Sequence, residues 1–123
     1  MLPAAHRMRR SADFEQAVRR GARYGTDTLV VHLVTRTDPG PGPVVGFVVS
    51  KAVGGAVVRN AVKRRLRAVA RPRLADLDPR DAVVVRALGP AAGRTSAELA
   101  ADLEVAVRGA RRRLARRQAG PVR

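Results

Sequence analysis

The stretch from Lys51 to Arg73, KAVGGAVVRNAVKRRLRAVARPR, constrains this chain more than any other. No aspartate or glutamate occurs between Pro39 and Ala75, although eight basic residues fall in that interval. Positions 59, 63, 67 and 71 are all basic, and residues four apart lie on the same face of a helix. The stretch therefore predicts a helix with one strongly cationic face.

The other side of this predicted helix is apolar. Val58, Val62, Leu66 and Val69 share a narrower arc, and Pro72 predicts the end of a helix that begins at about Val57. Such a helix packs its apolar arc against a core and presents its cationic face to an anionic partner.

The composition of the chain indicates what that partner is. The 123 residues suit a single domain, and 25 basic against 10 acidic residues give a net charge of +15. A charge of this size favours an anionic ligand. The aromatic content is 2% and there is no Trp, so the chain has few anchors for a membrane surface. We therefore expect a nucleic-acid partner and no membrane association.

Other function classes are excluded or disfavoured. The absence of Cys excludes disulfides, thiolate metal sites and cysteine nucleophiles. The apolar runs are too short to span a bilayer, and the basic N-terminus is not followed by the apolar segment of a secretory signal. These features predict a cytoplasmic protein.

The remaining elements follow from local patterns. Residues 1–10 form a basic arm, after which Ser11 as N-cap and Gly21 as stop delimit a first helix. Leu29–Thr35 and Val44–Ser50 are apolar, β-branched runs, and the proline- and glycine-rich segment between them suits a hairpin. We therefore predict that these two strands pair with each other in antiparallel fashion.

The second half of the chain continues with a strand at Ala82–Ala87 and a final helix. A capping box from Thr95 to Glu98 opens that helix. Its apolar face comprises Leu99, Leu103, Ala106, Val107, Ala110 and Leu114. We expect the domain to cover residues 1–118, followed by a disordered tail at 119–123, and we expect Asp76, Asp78 and Asp81 to lie in a solvated loop.

The chain offers no convincing catalytic constellation of its own. Neither His6 nor His32 has an Asp, Cys or Ser at a suggestive spacing, and His32 in mid-strand is interpreted as a half-buried structural residue. No phosphate-binding loop or set of metal ligands is present in the sequence. We predict no catalytic residue, no protein-borne metal site and no bond chemistry by the protein alone.

A run of charges on a helix is ordinarily a solvated face. Two observations argue against that explanation here: the face lacks the acidic residues that form stabilising i, i+4 pairs, and Asn60 places an amide among the arginines.

The central motif, Ala56-Val57-Val58-Arg59-Asn60-Ala61-Val62-Lys63-Arg64-Arg65-Leu66-Arg67, resembles the signature of the protein subunit of bacterial ribonuclease P. The preceding Gly46–Lys51, which ends in Ser-Lys, and the segment from Arg7 through Asp13-Phe14 to Gly21 are also similar to that family. The resemblance covers roughly residues 6–115.

The resemblance implies a fold and an activity. The fold is an α+β, single-domain α/β sandwich of order α-β-β-(β)-α-β-α, similar to a ribosomal-protein domain, with a left-handed βαβ crossover. The activity is that of a ribonucleoprotein endoribonuclease, whose catalytic RNA subunit uses Mg²⁺, bound mainly by RNA, to remove the 5′ leader of precursor tRNA. The implied partners are the ribonuclease P RNA and precursor tRNA, and no obligate protein partner is inferred.

The resemblance also implies which residues bind RNA. The RNA subunit is expected on Arg59, Asn60, Lys63, Arg64 and Arg67. The single-stranded leader is expected in a cleft at Phe14, Val18, His32 and Lys51. The family often has aromatic residues where this chain has Val18 and His32, so stacking on the leader is expected to be weaker. Gly55 and Ala61 also depart from the family pattern and are assigned no contact.

Alternative functions predict different behaviour. A ribosomal or general RNA-binding protein without a nuclease role would not discriminate precursor tRNA from mature tRNA. A DNA-binding regulator is disfavoured, because this chain has no second helix adjoining the basic one as in a helix-turn-helix. A self-sufficient nuclease would cleave RNA without an RNA subunit.

Overall fold

The computed structural model describes residues 11–37 and 42–119, so the predicted arm at residues 1–10 and most of the predicted tail lie outside the described residues. The helices and strands are α1 (Ser11–Arg20), β1 (Ala22–Gly25), β2 (Leu29–Thr35), β3 (Val44–Val49), α2 (Ala56–Ala70), β4 (Asp81–Ala87) and α3 (Ser96–Ala119). Short 3-10 helices occupy Lys51–Val53, Arg71–Asp76 and Gly89–Gly93. The predicted α+β class and element order are confirmed.

The four strands form one sheet in the order β1-β2-β4-β3. β2 pairs antiparallel with β1 and β4, whereas β3 pairs parallel with β4. The predicted hairpin between β2 and β3 is therefore wrong, because β4 lies between them. β4 is buried along almost its whole length, whereas the second half of β3 is only half-buried. A strand that is apolar on both faces gains most from a central position, and this outweighs the closeness of β2 and β3 in sequence.

The β3-α2-β4 segment connects two neighbouring parallel strands through a helix. It is thus the βαβ unit that the family resemblance implies. Its left-handed sense stays a prediction.

The sequence patterns predict no strand at β1, which has only four residues, two of them polar. The strand forms because of the elements on either side of it, α1 and β2. Gly21 ends α1, with its amide donating to the Ala17 carbonyl at 2.9 Å, and the chain then pairs Ala22 with Leu33 of β2.

The larger core lies between one face of the sheet and the helices α2 and α3. Alternate residues of β2, such as Leu29 and Leu33, meet Val62 and Leu66 of α2 and Leu103 of α3. All of the predicted apolar positions of α3 are buried or half-buried. The capping box also forms: Thr95 N donates to Glu98 Oε1 at 3.0 Å, and Glu98 N donates to Thr95 Oγ1 at 3.1 Å. Those predictions are confirmed.

The predicted apolar arc of α2 needs one correction. Val62 and Leu66 are fully buried and Ala70 joins them, but Val58 is 39% exposed. Val58 covers Gly54, whose φ of 154° is a conformation that favours glycine and redirects the chain into α2. Its place is set by this turn and not by the helical period. α2 ends at Ala70, two residues before Pro72, as predicted.

Asp81 also corrects the interpretation of the acidic loop. It is 2% exposed, accepts two hydrogen bonds from Arg111 at 2.6 and 3.2 Å, and accepts a third from the Asp78 amide at 2.9 Å. Asp76 and Asp78 are exposed, as predicted. Asp81 is buried, unlike Asp76 and Asp78, because it is the first residue of β4 and lies against α3.

Candidate nucleic-acid interface

The five predicted RNA-subunit-binding residues all belong to α2, which brings them together on one side of the protein. We call the group Arg59, Asn60, Lys63, Arg64 and Arg67 the α2 basic surface. Asn60 and Arg64 are exposed, and the other three are half-buried. Arg59 lies three residues before the buried Val62 and seven before Leu66, and its Nε is buried without a hydrogen-bond partner among the described residues.

The charges of this surface are not neutralised within the described part of the chain. The ion pairs there join Arg19 to Glu15, Arg73 and Arg108 to Glu104, Arg94 to Glu98, and Arg111 to Asp81. None of them involves a residue of α2. Like charges at i, i+4 destabilise a helix by about 0.2–0.5 kcal/mol per pair. The α2 basic surface is thus an arrangement that an external polyanion stabilises.

The second face of the sheet carries α1 and a smaller core. Phe14 and Ala17 pack against Val34, Val44 and Val84, while Val18, one residue further along α1, is 38% exposed. Val48 of β3 packs against the same cluster, whereas Val30 of β2, opposite Arg86, does not belong to it. The part of this face beside α1, around Val30, His32 and Arg86, is where the family resemblance implies a cleft, and we call it the cleft.

His32 is the polar centre of this face. It is 5% exposed, and neither ring nitrogen has a hydrogen-bond partner in the part of the chain that the structure describes. Burial lowers its pKa from the ordinary value, and the positive charges of Arg86 and Arg23 lower the pKa further. His32 is thus held as a neutral imidazole, which has one donor and one acceptor to offer. The predicted half-burial of His32 is wrong, because the side chain is more deeply buried than that, while its interpretation as a structural residue stays a prediction.

Two arginines that were not predicted as site residues share this face. Arg23 of β1 lies directly opposite His32, and Arg86 of β4 lies one row away, opposite Val30. Both are exposed. Arg86 is the only charged residue inside the run AVVVRA, which was a usable signal, but only the strand register brings the two arginines to His32.

Lys51 is less central than the other predicted leader residues. It is exposed and begins the 3-10 helix that follows β3, the edge strand separated from β2 by β4. The structure thus groups Phe14, Val18 and His32 near the cleft and places Lys51 past its edge, on the way to α2.

In residues 11–37 and 42–119, no three His, Cys, Asp or Glu side chains come together as metal ligands. Within the same ranges, no helix has both the length and the apolar character needed to cross a membrane.

Comparisons with known proteins agree with the resemblance in the central motif. A sequence model of the Ribonuclease P family matches residues 2–111. The Ribonuclease P protein component of Beutenbergia cavernae is 65% identical over 104 residues, which cover 85% of this chain and 87% of that protein. The corresponding protein of Streptomyces griseus is 57% identical over 114 residues, which cover 87% of this chain and 93% of its own.

A solved structure supports the same conclusion. The RNase P protein of Staphylococcus aureus superposes with a TM-score of 0.74 at 26% identity, over 85% of this chain and 94% of that one. The family resemblance is therefore confirmed. This chain, with its basic helix and its α1-covered sheet, belongs to the ribonuclease P protein family.

Proposed function

We propose that this chain serves tRNA 5′ maturation by binding the ribonuclease P RNA with the α2 basic surface and the precursor-tRNA leader in the cleft beside α1. Membership of the family makes it the protein component of a ribonucleoprotein endoribonuclease. The division of labour between the two surfaces is our assignment, and its setting is the cytoplasm.

The observation that carries the proposal is the lack of internal partners on both surfaces. The basic residues of α2 have no carboxylate partner in the described part of the chain, and His32 has two unpaired nitrogens beside exposed Arg23 and Arg86. Unpaired buried polar atoms are costly and mark places where a ligand completes the hydrogen bonding. Backbone phosphates suit the arginines, and an unstacked base suits the neutral imidazole and Phe14.

The chemistry of hydrolysis belongs to the RNA subunit and its Mg²⁺ in this proposal. The metal would be bound mainly by RNA, and the contribution of the protein is to neutralise phosphates and position the leader. By lowering repulsion between the two RNAs, the protein lowers the Mg²⁺ concentration that the reaction needs.

A magnesium titration of precursor-tRNA cleavage tests the proposal. We expect the protein to shift the titration of the matching RNA subunit to lower Mg²⁺, and to increase its affinity for precursor tRNA more than for mature tRNA. Phe14→Ala should reduce this discrimination and leave binding to the RNA subunit unchanged, whereas Lys63→Ala should weaken binding to the subunit. Equal effects on precursor and mature tRNA would instead support a general RNA-binding role.

A further inference from the structure

A group of arginines lies at the edge of the sheet farthest from α2. The strand order puts β1 at one edge and β3, which leads into α2, at the other. Three steps between strands separate these edges, about 14 Å. The end of α1 and the last turns of α3 meet beside β1, where they bring Arg20, Arg113 and Arg117 together. We call these three residues the edge arginines.

Two hydrogen bonds hold the side chains of Arg113 and Arg117 in place. Arg113 Nη1 donates to the Arg23 carbonyl at 2.5 Å, and its guanidinium lies 5.0 Å from the centre of the Tyr24 ring. Arg117 Nη1 donates to the Arg20 carbonyl at 2.8 Å. The close approach of α3 to β1 depends on Gly109, where a Cβ atom would lie 2.2 Å from the Tyr24 ring. The cluster is thus built on the packing of α3 against β1.

The edge arginines also have free binding capacity. All three are exposed, and none takes part in an ion pair with a carboxylate in the described part of the chain. A guanidinium has five N–H donors, and each hydrogen bond above uses one of them. Three exposed positive charges at one edge of the sheet favour a partner with several negative charges.

The edge is continuous with the cleft through Arg23. The side chain of Arg23 belongs to the face of His32, its opposite residue in β2, whereas its carbonyl accepts the hydrogen bond from Arg113. A strand of RNA that crosses the sheet from Lys51 past Arg86 and His32 therefore reaches the edge arginines next.

We infer that the edge arginines bind backbone phosphates of leader nucleotides that lie 5′ of the segment held in the cleft. This inference rests on the leader-binding function proposed above. The direction follows from the position of α2, because the leader leaves the RNA-bound end of the cleft near Lys51 and extends toward β1. Arginine forks suit phosphate oxygens, and such contacts are independent of base sequence.

The test compares precursor tRNAs with a short leader of about four nucleotides and a long leader of about twelve. Binding is measured with the holoenzyme assembled from wild-type protein or from a variant carrying Arg20→Gln, Arg113→Gln and Arg117→Gln. Three lost phosphate contacts on a single strand should reduce the salt slope by about two units for the long leader. We expect roughly tenfold weaker binding of the long leader and no change for the short one.

A matched control removes the same charge elsewhere. The variant Arg80→Gln, Arg94→Gln and Arg108→Gln should leave the binding of both leaders as in the wild type. Because Arg113 and Arg117 also hold the end of α3, a second variant with Arg113→Lys and Arg117→Lys keeps the charge without the forks. It should retain most of the preference for the long leader.

The outcomes separate this inference from the function on which it rests. An equal loss for both leaders, or no loss for either, in the triple variant would overturn the inference. If Phe14→Ala weakens binding of the short leader while the triple variant changes nothing, the cleft stands and the edge site fails. If Phe14→Ala has no effect on either leader, the proposed cleft itself is wrong.

Discussion

His32 is unusual because it is a buried polar side chain without hydrogen-bond partners among the described residues. A buried side chain with two unpaired nitrogens costs free energy in the unbound protein. Its neighbours Arg23 and Arg86 add electrostatic cost to protonation, which lowers its pKa together with burial. Each of these costs falls when a neutral hydrogen-bonding group and a phosphate enter the cleft, so the residue suits binding better than stability.

The lowered pKa of His32 predicts that acid destabilises the free protein. Between the ordinary value of about 6.5 and the lowered pKa, the unfolded chain holds a proton that the folded protein does not, so the free energy of unfolding falls as the pH falls. The slope from this one group is at most about 1.4 kcal/mol per pH unit. Urea unfolding at about pH 7.5 and pH 5.5 measures it. His32→Phe should remove most of the loss, and an equal loss in variant and wild type would exclude His32 as its source.

At the scale of elements, α2 and α3 differ in how many bonds their arginines make within the protein. Several arginines of α3 make hydrogen bonds within the protein: Arg111 binds Asp81, and Arg113 and Arg117 bind backbone carbonyls of β1 and α1. α2 makes no ion pair in the described part of the chain, although it packs on the same core. α3 also contains three carboxylates, at Glu98, Asp102 and Glu104, whereas α2 contains none.

The salt dependence of RNA binding tests this difference. If about five residues of α2 neutralise phosphates, the logarithm of the affinity for the RNA subunit should fall with the logarithm of salt at a slope of about −4. Arg67→Ala should flatten that slope by about one unit, because it removes one phosphate contact. Arg80→Ala, an exposed arginine outside both surfaces, is the matched control. A slope unchanged by Arg67→Ala would place Arg67 outside the interface.

For the whole molecule, the dominant feature is a net charge of +15 on 123 residues. The charge is spread over α2, the cleft and the edge of β1, so RNA can contact the protein on more than one side. The same charge opposes folding in the absence of RNA through self-repulsion.

Salt should therefore stabilise the free protein. Raising NaCl from about 0.02 M to 0.5 M shortens the Debye length several-fold and should raise the thermal midpoint by on the order of 5 °C. The variant Arg80→Gln, Arg94→Gln and Arg108→Gln carries three fewer charges and should show a smaller rise. A midpoint that falls or stays constant with salt in the wild type would contradict a large repulsive contribution.

Local patterns predicted most elements because their signals are local. The capping box at Thr95 and Glu98, the stop at Gly21 and the end of α2 before Pro72 each depend on a few neighbouring residues, and all three predictions are confirmed. The errors have a shared origin. The β2–β3 hairpin, the buried Val58 and the solvated Asp81 were all inferred from local patterns in the sequence. The structure differs because β4 lies between β2 and β3, because the turn at Gly54 sets the place of Val58, and because α3 covers Asp81.

The sequence by itself determined that the chain has a cationic helix without acidic neighbours, and the order of its residues was enough to indicate the ribonuclease P protein family. The tertiary structure alone decided which side chains lie together beside α1 and at the edge of β1. Helical period places charges on one face of one segment, but strand register joins Arg23, His32 and Arg86, and the packing of α3 on β1 joins Arg20, Arg113 and Arg117. These groupings depend on which strands pair and on which helices cover them. Strand pairing and helix packing are both decided by burial between distant parts of the chain, and local spacing does not reveal them.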